Sequence, residues 1–252
     1  MIPATSRDPL GDARSEVERA AGYYYHTPLQ STIDNRTRRY LIERCLPFLR
    51  GPRVLELGYV DGLWTDSLLA RGFQVDIVEG ATKHVEHARA KYSGTSAVRI
   101  FHALFQEYAP DCVYDSVLAG DMLRYLADPE GFLRATQDWL SAKGILAATL
   151  PNARSLHRRV GALLGMESHP TESNARDREV GNIRTYDRYD FRQLLAASGY
   201  RVDLLRGCFL KPLSSAQMAD WDDDLLRAFA EVGEELQDYC WFMYAVCSKP
   251  SL

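Results

Sequence analysis

Val54-Leu55-Glu56-Leu57-Gly58-Tyr59-Val60-Asp61-Gly62-Leu63-Trp64-Thr65 decides the fold of this chain. It reads as a short apolar strand with an acid near its end, then a glycine turn, then the first turn of a helix. A second run, Val75-Asp76-Ile77-Val78-Glu79-Gly80-Ala81, reads as a buried strand with a carboxylate at its C-terminal tip. Two such units in succession predict parallel strands joined by a helix. An open sheet of that kind takes nucleotide-like ligands at the C-terminal ends of its first strands. Glu79 suits a ribose there, because a carboxylate can accept hydrogen bonds from both hydroxyls of a diol.

Working outward, the same alternation continues. Strands are expected over 53–57, 74–78, 97–101, 114–119 and 144–150, with helices over 62–70, 81–91 and 129–140. A helix capped by Ser31 or Thr32 is expected to precede them and run to about Phe48. After Pro151 the pattern is less regular. Residues 152–164 look helical, and a polar stretch follows from Glu167 to Asn182. A helix over 189–198 and a strand over 200–205 come next. Leu225, Leu226, Phe229, Val232 and Leu236 recur at helical spacing and predict an amphipathic helix over 221–238, before a last strand over 240–246. This predicts an α/β fold with a mostly parallel sheet and helices on both faces. Residues 1–22 are polar with little periodicity and read as a mobile arm.

Composition narrows the function. The chain has 252 residues, 46% hydrophobic and 25% charged, with a net charge of -4. An acidic balance speaks against nucleic acid as the main partner. The N-terminal stretch is charged and lacks an apolar core, so no signal peptide is expected. Apolar runs such as 241–247 are too short to span a bilayer, and a cytoplasmic, non-membrane protein is expected. Cysteines 45, 112, 208, 240 and 247 are scattered, without metal-ligand spacing, and read as small hydrophobes; no metal is expected.

Glu56-x-Gly58-x-x-x-Gly62, with Glu79 about twenty residues on, resembles motifs I and II of the class I S-adenosylmethionine (SAM)-dependent methyltransferases. The likeness is strong over 50–150 and holds in outline over 185–250. It implies a Rossmann-like sheet of seven strands with the last antiparallel, and SAM as cofactor with S-adenosylhomocysteine as product. It divides the chain into an N-terminal arm or lid (1–30), a SAM-binding core (31–151), a lid insertion (152–185) and the rest of the sheet (186–252). A dehydrogenase fingerprint would need glycine at Val60 and at Thr65. The methyltransferase pattern also has a glycine where Val60 stands and a small residue where Tyr59 stands.

By this resemblance Glu56, Gly58, Gly62, Glu79 and Gly80 line the cofactor. Backbone N–H groups of Ala103 or Leu104 bond its adenine, though Leu104 and Phe105 read equally well as core. The family's acid for the adenine amino group is missing from His102-Ala103-Leu104-Phe105-Gln106. Arg38 or Arg39 is expected to reach the methionine carboxylate, and Tyr24 with its neighbours Tyr23 and Tyr25 to close over the site, a hydrophobic staple onto the sheet edge being the competing reading. Ala119-Gly120-Asp121-Met122-Leu123-Arg124-Tyr125 resembles the stretch that faces the acceptor, with Asp121 and Tyr125 standing where the family has histidines. Gly120 lines the donor methyl. Asp121 and Tyr125 are the catalytic candidates, and a plain helix cap is the competing reading of Asp121. Asn182 stands at a third position where the family carries histidine. Arg158 and Arg159 read as a solvated helix face.

The expected activity is methyl transfer to a small-molecule acceptor, with nitrogen favoured over oxygen because the usual histidines are absent. His26 and His157 keep O-methylation open. The overall look is that of natural-product tailoring enzymes, by analogy only. A SAM-binding regulatory or partner protein without transferase activity, and a nucleotide-dependent oxidoreductase, are the readings from other classes. Neither the acceptor nor the oligomeric state follows from the sequence.

Overall fold

All seven expected strands pair into one sheet, in the order β3-β2-β1-β4-β5-β7-β6. They are β1 (Arg53–Leu57), β2 (Gln74–Glu79), β3 (Val98–His102), β4 (Tyr114–Gly120), β5 (Leu140–Pro151), β6 (Arg201–Cys208) and β7 (Phe242–Ser248). The computed structural model describes residues 9–25, 28–166, 168–173, 177 and 181–250, without the side chains of 9–12, 23–25 and 28–32. The first five strands are parallel, and β7 runs antiparallel to both β5 and β6. Burial explains the sequence pattern. Val54, Leu55 and Leu57 in β1 and Val75, Ile77 and Val78 in β2 are fully buried, because helices cover both faces of a parallel sheet.

The helices are α1 (Pro9–Tyr25), α2 (Pro28–Cys45), α3 (Leu63–Leu69), α4 (Thr82–Lys91), α5 (Pro129–Trp139), α6 (Leu156–Leu163), α7 (Arg188–Ala197) and α8 (Asp223–Glu235). Their starts follow capping chemistry. Asp128 accepts from the Gly131 N–H ahead of Pro129 at the mouth of α5. Asp187 accepts from the N–H groups of Tyr189 and Asp190 at the mouth of α7. One core packs Leu41, Tyr59, Trp64 and Leu68 against one face of the sheet. The second packs Leu133, Phe191 and Leu195 against the other.

Three expectations need correcting. The described part of the N-terminal arm is a helix, α1, whose Ala13, Val17, Ala20 and Ala21 recur at helical spacing and lie toward the body of the protein. Strand β5 begins at Leu140, four residues early, since it continues past Gly144 to pair with Tyr114. Arg158 is not on a solvated face: its side chain is 12% exposed and pairs with Asp177 at 3.1 Å, tying α6 to the rest of the insertion. Arg159 lies over the ring of Tyr239.

Candidate functional site

The turn after β1 is shaped by three residues in the left-handed region: Gly58 (φ 89°), Val60 (φ 53°) and Gly62 (φ 84°). Glycine takes this conformation freely, whereas a β-branched residue pays for it. Val60 is therefore a strained position, held by the turn around it. Gly58 donates to the Val78 carbonyl at 2.9 Å and joins the tips of β1 and β2.

Above these tips and that of β4 lies a cavity of about 200 Å³. A second hollow beside Arg158 and Asn182 has about 30 Å³, roughly one water molecule's share of liquid. Only the first is large enough for an organic ligand. Of the expected cofactor residues, Arg38, Gly58, Glu79, Gly80, Leu104 and Gly120 line it, and so do Asp121 and Tyr125.

Glu79 is buried, 5% exposed, and its carboxylate is firmly oriented. Oε2 accepts from Tyr59 N–H at 2.9 Å and Oε1 from Ala81 N–H at 2.7 Å. His84 Nδ1 lies 3.3 Å from Oε2. Burial alone would raise the pKa of Glu79. His84 and the two backbone donors outweigh it and hold the group below its ordinary value, so it stays anionic at neutral pH. Each oxygen spends one lone pair on the backbone and keeps another, with His84 sharing one of them.

These features fit a nucleoside methyl donor. Side chains are missing where the floor must be open, at Gly58, Gly80 and Gly120. A Cβ on Gly80 would come within 3.1 Å of Leu104 and 3.2 Å of Val17. An anionic acceptor stands at the tip of β2, where a ribose diol would reach it.

Three expected residues do not reach the wall. Glu56 is buried beneath the turn, and its Oε2 accepts from the Thr65 hydroxyl at 2.6 Å. Burial pushes its pKa up to about 8. Gly62 is structural: a Cβ there would lie 2.8 Å from the Tyr59 ring and 2.6 Å from the Tyr92 hydroxyl. Ala103 is spent on the sheet, its N–H donating to the Glu79 carbonyl at 3.1 Å. Leu104 lines the cavity with its side chain, but its N–H donates to Glu107 Oε2 at 3.1 Å. Neither N–H is open to a base, which corrects that expectation. The side chain of Tyr24, and His26, lie outside the described residues.

At the tip of β4, Asp121 takes φ 58° and is anchored to β5. Its N–H donates to the Thr149 carbonyl at 3.0 Å, and its Oδ1 accepts from the Thr149 hydroxyl at 2.9 Å. The carboxylate thus bonds across the sheet and does not cap the short helical turn that follows. Tyr125 sits nearby with the Arg124 guanidinium 5.0 Å over its ring. Arg38 reaches Asp61 at 3.5 Å. Asn182 bonds Asp177 within the insertion, and its neighbour Gly181 reaches the cavity.

Thr149 and the inner face of α1 were not foreseen. Thr149 sits within an apolar strand and reads as core. The α1 residues carried a usable signal in the spacing of Ala13, Val17 and Ala20. Among the described residues there is no group of three or more metal-ligating side chains, and no helix long and apolar enough to cross a membrane.

Comparison with known proteins agrees with this geometry. A ubiquinone biosynthesis O-methyltransferase of Methylocella silvestris is 32% identical over 124 residues, 47% of each chain, so the chain matches about half of that relative's length. Among solved structures, the methyltransferase held by the Haloferax volcanii Trm112 activator superposes with a TM-score of 0.63 at 16% identity, covering 95% of this chain and 98% of that one. The CcbJ methyltransferase of Streptomyces caelestis gives 0.61 at 14% identity, with 95% and 100% covered. The methyltransferase domain family matches residues 30–205, most of the sheet and the whole β1–β2 site, and the chain belongs to that family.

Proposed function

We propose that this methyltransferase uses SAM and methylates a nitrogen of a small-molecule acceptor. The observation that carries the reading is Asp121. It lies on the cavity wall at the tip of β4, fixed by Thr149, and it is the group best placed to orient an acceptor. Among the described lining residues the only histidine is His84, which stands against Glu79 at the ribose end. A hydroxyl acceptor needs a base to become nucleophilic, whereas a neutral amine needs alignment and a dry pocket.

Bound SAM supplies an electrophilic methyl on a sulfonium. That methyl would pass to the acceptor's nitrogen lone pair, with the C–S bonding electrons left on the departing S-adenosylhomocysteine sulfur. Asp121 accepts a hydrogen bond from the amine and then takes its proton, or passes it to water. Holding two reactants in line can be worth roughly 7–11 kcal/mol of barrier, and in this reading Asp121, Gly120 and Tyr125 do the holding at the acceptor end. Arg38 faces the methionine carboxylate. In this reading Gly181 of the insertion stands at the acceptor end, and α1 covers the cofactor. Natural-product biosynthesis is the setting this reading favours.

A second reading, O-methylation, takes its support from the curated relative named as an O-methyltransferase. A panel of small amines and phenols with methyl-labelled SAM separates the two, and labelled amines are expected. Label on phenols alone would overturn the nitrogen reading. Asp121→Asn keeps the shape and loses the charge. It should lower turnover at least about tenfold, equivalent to roughly 1.4 kcal/mol, with cofactor affinity kept. Wild-type turnover in that variant would remove Asp121 from the mechanism.

A further inference from the structure

The adenine end of the cavity lacks its usual readers. The N–H groups of Ala103 and Leu104 are both committed, to the Glu79 carbonyl and to Glu107 Oε2. No side chain from His102 to Gln106 carries a carboxylate. Gly80 keeps a gap open there: a Cβ on it would meet Leu104 on one side and Val17 of α1 on the other. The wall opposite β3 is therefore helix α1.

Helix α1 is docked by two polar contacts on one stripe. Arg14 pairs with Glu107 at 2.6 Å, next to Gln106. Glu18 Oε1 accepts from the Thr82 N–H at 2.9 Å, at the mouth of α4. Residues three and four apart share a helix face, so this docking lays a second stripe along the cavity, with Ala13, Val17 and Ala20 half-buried on its wall and the exposed Glu16 at its rim. Ala13, Val17 and Ala20 are apolar. Between α1 and the turn after β3, the polar lining side chains are Glu16 and Gln106.

We infer that Glu16 of α1 reads the exocyclic amino group of the cofactor's adenine, taking the role that the end of β3 leaves vacant. An amino group presents N–H donors, and a carboxylate is an acceptor. The same carboxylate opposes a base with a carbonyl at that position, where two acceptors would meet. The helix then supplies selectivity for an aminopurine as well as cover.

This inference rests on the SAM reading above, and the experiment separates the two. Calorimetry compares S-adenosylhomocysteine with S-inosylhomocysteine, which carries an oxo group in place of the amino group. The wild type is expected to favour the adenosyl ligand about tenfold or more, the scale of one charge-assisted hydrogen bond. Glu16→Gln can donate to the oxo group, so the preference should collapse to less than about threefold. Glu18→Gln loosens the docking of α1 and should weaken both ligands alike, leaving the ratio in place. An unchanged ratio in Glu16→Gln would overturn the inference, as would a ratio lost equally in Glu18→Gln. Absence of S-adenosylhomocysteine binding to the wild type would instead overturn the SAM reading itself.

Discussion

Glu79→Gln tests the site most directly, because this carboxylate has a job in the fold and, under the proposed function, a second in binding. The first is structural. Its two oxygens serve the N–H groups of Tyr59 and Ala81, both in a buried setting. Glutamine has one oxygen, so one of these donors would face an NH2 group. An unpaired buried donor costs about 1–3 kcal/mol, and folding stability should fall by that amount. The second job is binding. Hydrogen bonds to a charged group contribute about 1.5–3 kcal/mol against about 0.5–1.5 for neutral pairs. The difference, about 1–1.5 kcal/mol, predicts roughly five- to twelvefold weaker binding of S-adenosylhomocysteine. Calorimetry reads the affinity, and urea unfolding reads the stability.

A pH series adds a second check on the same residue. The folded pKa of Glu79 lies below the ordinary value of 4.5. Its contribution to stability is therefore present above that value and is lost as the pH falls through the lower, folded value. The wild type should lose this component on acidification, and Glu79→Gln should lack it. Unchanged affinity and unchanged stability in Glu79→Gln together would refute the reasoning.

Val60 and Glu56 offer two further tests. Val60→Gly relieves the left-handed strain, worth about 1–2 kcal/mol, against about 0.4–1 kcal/mol of added chain freedom. The glycine variant should exceed Val60→Ala in denaturant midpoint, and the reverse order would show that the turn stores no strain there. Glu56 has a folded pKa of about 8, above its ordinary 4.5, so wild-type stability should decline as the pH rises through that interval. In Glu56→Gln the decline should flatten; an identical pH profile would count against a proton held there.

The sequence by itself determined the fold and half of the site. Apolar runs at β1, β2 and β4 can only be strands covered on both faces, and the spacing of Gly58 and Glu79 puts them at neighbouring strand tips. These are local and periodic features, so one chain segment at a time reveals them. What the tertiary structure decided was how hydrogen bonds are shared, some with near neighbours in the chain and some between distant segments. Glu56 turned inward to Thr65, and the N–H groups of Ala103 and Leu104 were claimed by Glu79 and Glu107. Thr149 took hold of Asp121 from the next strand. Lys211 and Ser215 joined Asp34 of α2 in a buried chain, each link 2.7 Å long. Each donor and acceptor has few lone pairs or protons to give. Which partner takes them depends on distances set by packing the whole sheet, and no motif records those distances. The same holds for α1: its periodicity was present in the sequence, but only its docking onto Glu107 and Thr82 set Glu16 at the rim of the cavity.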